Sequence, residues 1–163
     1  MTSTRKITGL LLLAFSIFFT ANVKAQDYEK GFRLGFGANV GATTSDDFSV
    51  GLGIDGRVQY DLTKKMSLIG TTGYTHLFGK KDTPDLGFIP AKVGFKTFFG
   101  DRFYGFGEVG AGIGVTNTNQ TTFLWAPGLG FATKYIDISV RYEDYGKFDA
   151  GQVALRLAYG FKL

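Results

Sequence analysis

The 163-residue sequence carries 18 Lys and Arg against 14 Asp and Glu, one histidine and no cysteine, and is rich in Gly (24), Phe (17) and Tyr (8). The lack of cysteine excludes disulfides, thiolate metal sites and a lipid-modified N-terminal cysteine. Arg5, Lys6 and Lys24 fall before residue 26, leaving 15 basic against 14 acidic residues beyond it, so no basic patch argues for nucleic acid.

The chain opens with a basic start at Arg5 and Lys6, an apolar run from Gly9 to Phe19, and small residues around Val23-Lys24-Ala25. This is the plan of a secretory signal peptide over residues 1–25, cleaved after Ala25, and the run is short of the ~20 apolar residues that a spanning helix needs. Residues 26–163 then form one domain. Their Gly and aromatic richness suits short strands joined by turns rather than helices.

Alternation with a period of two predicts eight strands. The first, Gly31–Ala42, sets Phe32, Leu34, Phe36, Ala38 and Val40 against Arg33, Gly35, Gly37 and Asn39. The second, Phe48–Leu62, opposes an apolar even face to Asp55, Arg57, Gln59 and Asp61. The third, Met66–Phe78, is irregular, with Ile69 and Leu77 out of phase with Leu68 and Tyr74, and its facing stays open. The fourth, Phe88–Phe99, opposes Ile89, Val93 and Phe95 to Lys92 and Lys96. The fifth, Phe103–Val115, opposes Val109, Ile113 and Val115 to Glu108 and glycines. In the sixth, Phe123–Thr133, Pro127 has no N–H to donate and should mark a bulge or irregular pairing. The seventh, Tyr135–Tyr145, opposes Ile136, Ile138 and Val140 to Asp137, Arg141 and Glu143. The eighth, Gly151–Leu163, alternates without exception.

Longer connections (Thr43–Asp47, Gly79–Gly87, Thr116–Thr122, Gly146–Ala150) should share one rim, and tight turns (Thr63–Lys65, Gly100–Arg102, Lys134) the other. That plan predicts an all-β, eight-stranded antiparallel up-and-down transmembrane barrel. Its charged face must point inward, because a Lys or Arg turned into hydrocarbon at the midplane costs ~2–4 kcal/mol. Arg33, Asp55, Arg57, Lys92, Lys96 and Glu108 should then meet Arg141, Glu143 and Arg156 in an interior charge network. An eight-strand lumen is wide enough for side chains only, so the network should plug it. Glu108 is expected beside Gly94, held between Lys92 and Lys96. Tyr60, Phe99, Phe103, Tyr135, Tyr159 and Phe161 are expected in one interfacial girdle, and Phe48, Phe88, Phe123, Trp125 and Tyr142 in the other.

The last strand ends on large apolar residues, Phe161 and Leu163, with Arg156 eight from the end. This ending resembles the terminal strand of bacterial outer-membrane barrels, although Ala158 stands where that family usually has glycine. Residues 26–163 resemble the small OmpA/OmpX-type barrels over their full length. The resemblance implies an integral outer-membrane protein of a Gram-negative bacterium. It would be a monomer with extracellular loops and both termini periplasmic, in contact with outer-membrane lipids. Arg156, Phe161 and Leu163 would be the signal read by the barrel-assembly machinery. The resemblance has no residue-specific functional motif, so it transfers fold and location but little chemistry. The residues themselves lead to the expectation of a non-enzymatic structural or interaction role, with no cofactor and no metal.

Other readings are weaker. Two G-x-G-x-x-G matches, Gly51–Gly56 and Gly105–Gly110, lie inside strands with no helix to follow, so they are not dinucleotide loops. His76 is the one histidine, and lipid-modifying barrel enzymes use a histidine with a serine and an acid. Thr75-His76-Leu77 lacks the deacylase His-x-Ser spacing, and the short Gln26–Lys30 tail cannot supply the amphipathic helix of a palmitoyltransferase. Asp46, Asp47, Asp82 and Asp85 are loop carboxylates without a metal-ligand pattern. A soluble or secreted ligand-binding barrel would have to put its apolar faces inside, leaving the charges to line the exterior.

Overall fold

The computed structural model describes residues 31–163. The expected leader, its cleavage point and the Gln26–Lys30 tail lie outside the described residues. Eight strands follow in order: β1 Phe32–Thr43, β2 Phe48–Asp61, β3 Met66–Gly79, β4 Leu86–Phe98, β5 Phe103–Thr116, β6 Thr121–Ala132, β7 Ile136–Tyr145 and β8 Ala150–Lys162. Each pairs antiparallel with the next, and β8 returns to β1, closing the barrel. Closure leaves no strand edge unpaired, which a spanning sheet needs because lipid offers backbone groups no partner.

The phase of the alternation decides what faces where. Among the described residues, twenty-seven large hydrophobic side chains are exposed, Phe36, Ile54, Val93, Leu129 and Leu157 among them. The opposite face of the same strands buries Asp55, Arg57, Lys92, Glu108, Arg141 and Arg156. A water-soluble barrel would reverse this arrangement. β3, irregular in sequence, resolves cleanly: Ser67, Ile69, Thr71, Thr75 and Leu77 point inward, and Leu68 points out.

Two members of the expected girdle lie inside instead. Phe48 is buried because the β2–β3 register shifts between Phe48 and Gly51, reversing the phase at the start of β2. Phe88 shares the parity of Lys92, so it too points into the lumen. With Leu77, Leu86, Leu124, Tyr145 and Ala150 they form an apolar cluster inside one end of the barrel. Phe123 and Trp125 stay outside, with the Trp125 and Tyr142 rings 5.6 Å apart. At the other end Tyr135 stacks on Tyr159 at 5.9 Å, and Phe103 meets Phe131 edge-on at 5.2 Å.

Pro127 interrupts a ladder without a bulge. The β6–β7 pairs skip from Trp125–Asp144 to Gly128–Arg141 with the register unchanged. Pro90 does the same on β4, where the β3–β4 pairs skip from Thr72–Ala91 to Thr75–Phe88. Each proline removes one N–H, and its other ladder, to Gly107 or Gly112, continues. The connections are more even than expected. One rim has stretches 44–47, 80–85, 117–120 and 146–149, the last holding a 3₁₀ turn at Gly146–Phe148; the other has 62–65, 99–102 and 133–135. The first is the loop rim and the second the turn rim.

Candidate functional site

The barrel interior is where chemistry-bearing side chains converge. Lys92, Glu143, Arg141, Asp55, Arg156, Asp137 and Lys96 form one unbroken chain of ion pairs. At its centre Arg156 donates from Nε to both oxygens of Asp55, at 3.0 and 2.9 Å, and from Nη2 to Oδ1 at 2.5 Å. Asn39 adds a bond to Asp55 Oδ2 at 2.8 Å. Lys96 donates to Asp137 at 2.7 Å and sits 3.7 Å from the Tyr104 ring centroid, while the Tyr104 hydroxyl donates to the same carboxylate at 2.5 Å. Glu143 takes Lys92 on one oxygen and Gln152 on the other, the latter at 2.9 Å.

Glu108 does not pair with the lysines expected to flank it. The register does set it opposite Gly94, between Lys92 and Lys96 along β4. Its carboxylate instead accepts from Arg57 Nη2 at 3.1 Å and from the Thr71 hydroxyl at 2.5 Å. The two lysines reach across the lumen to Glu143 and Asp137 on β7. The physical reason is the narrow bore: inward side chains meet the far wall as readily as the neighbouring strand. Arg33 is the outlying member, half-exposed near the turn rim and bound to Asp61 at 3.1 Å.

Two inward glycines make room. A Cβ on Gly37 would lie 2.9 Å from the Arg156 guanidinium, and one on Gly130 would collide with the Tyr104 ring. Buried charges in such proximity are satisfied by one another, and losing one partner strands the next.

Three zones follow one another along the bore. The apolar cluster of Phe88, Leu124 and Tyr145 closes it near the loop rim, and the ion-pair chain occupies the middle. A cavity of about 720 Å³ opens at the turn rim, lined by all three of its turns. The apolar layer was not anticipated from the sequence, although the parity of Leu124 with Ala126 and of Tyr145 with Glu143 already pointed it inward.

Outside the lumen, His76 bridges β3 and the 80–85 loop. Its Nε2 lies 3.1 Å from Asp85 Oδ2 and its Nδ1 3.1 Å from the Tyr74 hydroxyl. The Gly79 N–H donates to Asp85 Oδ1 at 2.8 Å; this bond first, and His76 second, hold the Asp85 carboxyl below its ordinary range. Among the described residues, no three His, Cys, Asp or Glu side chains converge as metal ligands.

Phe161 is half-buried and Leu163 exposed at the end of β8, whereas Arg156, five residues before Phe161, is sealed in the lumen.

No protein-family model matches the sequence, and no curated protein sequence does. Solved structures do match in fold. Ail, the attachment invasion locus protein of Yersinia pestis, solved with the heparin analogue sucrose octasulfate, is 17% identical with a TM-score of 0.62, over 83% of this chain and 100% of that one. A de novo designed transmembrane β-barrel is 15% identical with a TM-score of 0.57, over 83% and 99%. The N-terminal β-barrel domain of Pseudomonas aeruginosa OprF is 15% identical with a TM-score of 0.52, over 82% and 100%. The chain has the fold of the small eight-stranded outer-membrane β-barrels.

Proposed function

We propose that this protein is an integral outer-membrane barrel with a structural, non-enzymatic role in the envelope of a Gram-negative bacterium. The observation that carries the reading is the inversion of the two faces: a continuous exposed apolar wall around a charged, ion-paired bore. In water that wall would drive aggregation; in a bilayer it is the matched surface. Residues 1–25 are a cleaved leader. The loop rim faces outward and both ends of the barrel chain face the periplasm, where β8, through Arg156, Phe161 and Leu163, is presented to the assembly machinery. The protein acts as a monomer.

Connections of at most six residues offer little surface for a large partner, which favours a structural role over display of binding loops. His76 is engaged by Tyr74 and Asp85, and the hydroxyl beyond Tyr74 belongs to Thr116 at 3.3 Å, which supports a rim-bracing rather than a hydrolytic role.

Membrane fractionation tests the proposal. The protein should sediment with the outer membrane, resist carbonate extraction and stay folded only in detergent or lipid. A folded, detergent-independent species in the soluble periplasm would instead establish the soluble barrel.

A further inference from the structure

The cavity at the turn rim has a composition that the structural role does not require. Eight basic side chains line it against three acidic ones, Asp61, Asp101 and Asp137. Its cations come in two tiers. Lys64 and Lys65 from the β2–β3 turn, Arg102 from the β4–β5 turn and Lys134 from the β6–β7 turn ring the mouth from three directions. None of these four makes an ion pair among the described residues; Arg102 and Lys134 lie over the Phe131 and Tyr135 rings at 6.0 and 5.1 Å. Like charges gathered round one concave mouth raise its positive potential and the local concentration of anions.

The inner tier is already paired, with one donor left over. Arg33, Lys96 and Arg156 hold Asp61, Asp137 and Asp55. Arg57, only 4% exposed, donates from Nε to Thr71 and from Nη2 to Glu108, but its Nη1 has no hydrogen-bond partner among the described residues. A buried guanidinium N–H without an acceptor is costly, and a guanidinium is shaped to take a phosphate oxygen.

We infer that this vestibule is a binding site for a phosphate-bearing anion of two or more negative charges. The four mouth cations attract and hold it, and Arg57 stands at the inner end. About 720 Å³ admits a compound phosphate such as pyrophosphate, or a phosphorylated headgroup entering from the rim. The site belongs to the turn rim itself. It rests on the orientation proposed above only in making the periplasm, or the leaflet facing it, the source.

The test uses the refolded protein in maltoside micelles, where both rims are open and no phosphate is present. Failure there would count against this site and leave the outer-membrane orientation untouched. Inorganic pyrophosphate is titrated while backbone amide resonances and binding heat are followed. Saturable shifts of the Gly35, Ala158 and Gly160 amides, which line the cavity, are expected. Lys64→Gln, Lys65→Gln, Arg102→Gln and Lys134→Gln together should weaken binding at least about tenfold, and added salt should do likewise. Lys80→Gln with Lys81→Gln and Lys147→Gln, at the other rim, should change nothing. These changes sit in turns and loops, so the barrel should persist. No saturation, shifts confined to the turn residues, or equal affinity in the fourfold variant would each overturn the site. The same titration in phosphatidylcholine bilayers with and without cardiolipin, whose headgroup carries two phosphates, separates the sources. Competition by cardiolipin identifies a lipid headgroup as occupant, and unchanged affinity a soluble phosphate.

Discussion

Arg156 and Asp55 stand 101 residues apart in the chain and meet side-on inside the barrel, with three donor–acceptor contacts of 2.5 to 3.0 Å. Asp55 is on β2 and Arg156 on β8, so the pair spans β1 between them. Lys92–Glu143, Lys96–Asp137, Arg57–Glu108 and Arg141–Asp55 likewise join strands that are not neighbours. The backbone ladder ties each strand to the next; these pairs brace the cylinder across its bore.

Breaking the brace on one side should therefore be expensive. Arg156→Ala leaves Asp55 with Asn39 and a distant Arg141 at 3.8 Å, and should cost ~3–5 kcal/mol in urea unfolding from lipid vesicles. Replacing both partners together, Asp55→Leu with Arg156→Met, removes one charge of each sign and should recover most of that loss. A double variant as unstable as the single would show that shape rather than charge balance governs this layer.

Charge should be tolerated according to face. Ile54, 67% exposed, and Leu157, 56% exposed, point outward, and Ile54→Arg or Leu157→Arg should each cost ~2–4 kcal/mol in a bilayer. Gln59→Arg enters the wall of the turn-rim cavity, where there is room for it, and should cost less. The same urea titration compares all three. Similar costs on both faces would contradict the outward apolar wall.

The barrel should not conduct, and no single truncation in the bore should open it. Two barriers lie in series: the apolar layer of Phe88, Leu124 and Tyr145, and the crossing ion pairs beneath it. Glu108→Ala removes the Arg57 pair yet leaves the apolar layer whole. Only a combination that reduces both barriers, such as Phe88→Ala and Leu124→Ala with Lys92→Ala and Glu143→Ala, should give stable steps in planar-bilayer recordings. Large steps from the unmodified protein would sink the plugged bore.

Period-two alternation was enough to read the strands, the closure and the direction of the charges, because a strand commits each side chain to one face. Partners inside the bore were not legible. Pairing Glu108 with Lys92 and Lys96 assumed that contacts follow strand neighbours, whereas a narrow lumen lets Lys92 reach Glu143 across it. Phe48 misled for a different reason: a register shift inverted its face, and shifts leave no mark on composition. Phe88 and Leu124 are apolar residues on the lumen side: their size and type suit lipid, but their parity matches the lumen charges, and parity decides.

The 80–85 loop should come loose in acid. Asp85 ties that loop to the end of β3 through the Gly79 N–H at 2.8 Å and to His76 at 3.1 Å. Both partners favour the carboxylate, so its folded pKa lies below the ordinary 3.8. A depressed pKa means the tether is fully present above 3.8 and is lost as pH falls through the lower folded value. Amide exchange at Gly79 should therefore stay slow through neutral and mildly acidic pH and quicken only below that point. Asp85→Asn can still accept from Gly79 but carries no charge, so it should weaken the tether at neutral pH and flatten the acid dependence. Trypsin at Lys80 and Lys81 gives a second readout, with cleavage faster in Asp85→Asn than in the unmodified protein at the same pH. An acid response at Gly79 that persisted in Asp85→Asn would place the titrating group elsewhere.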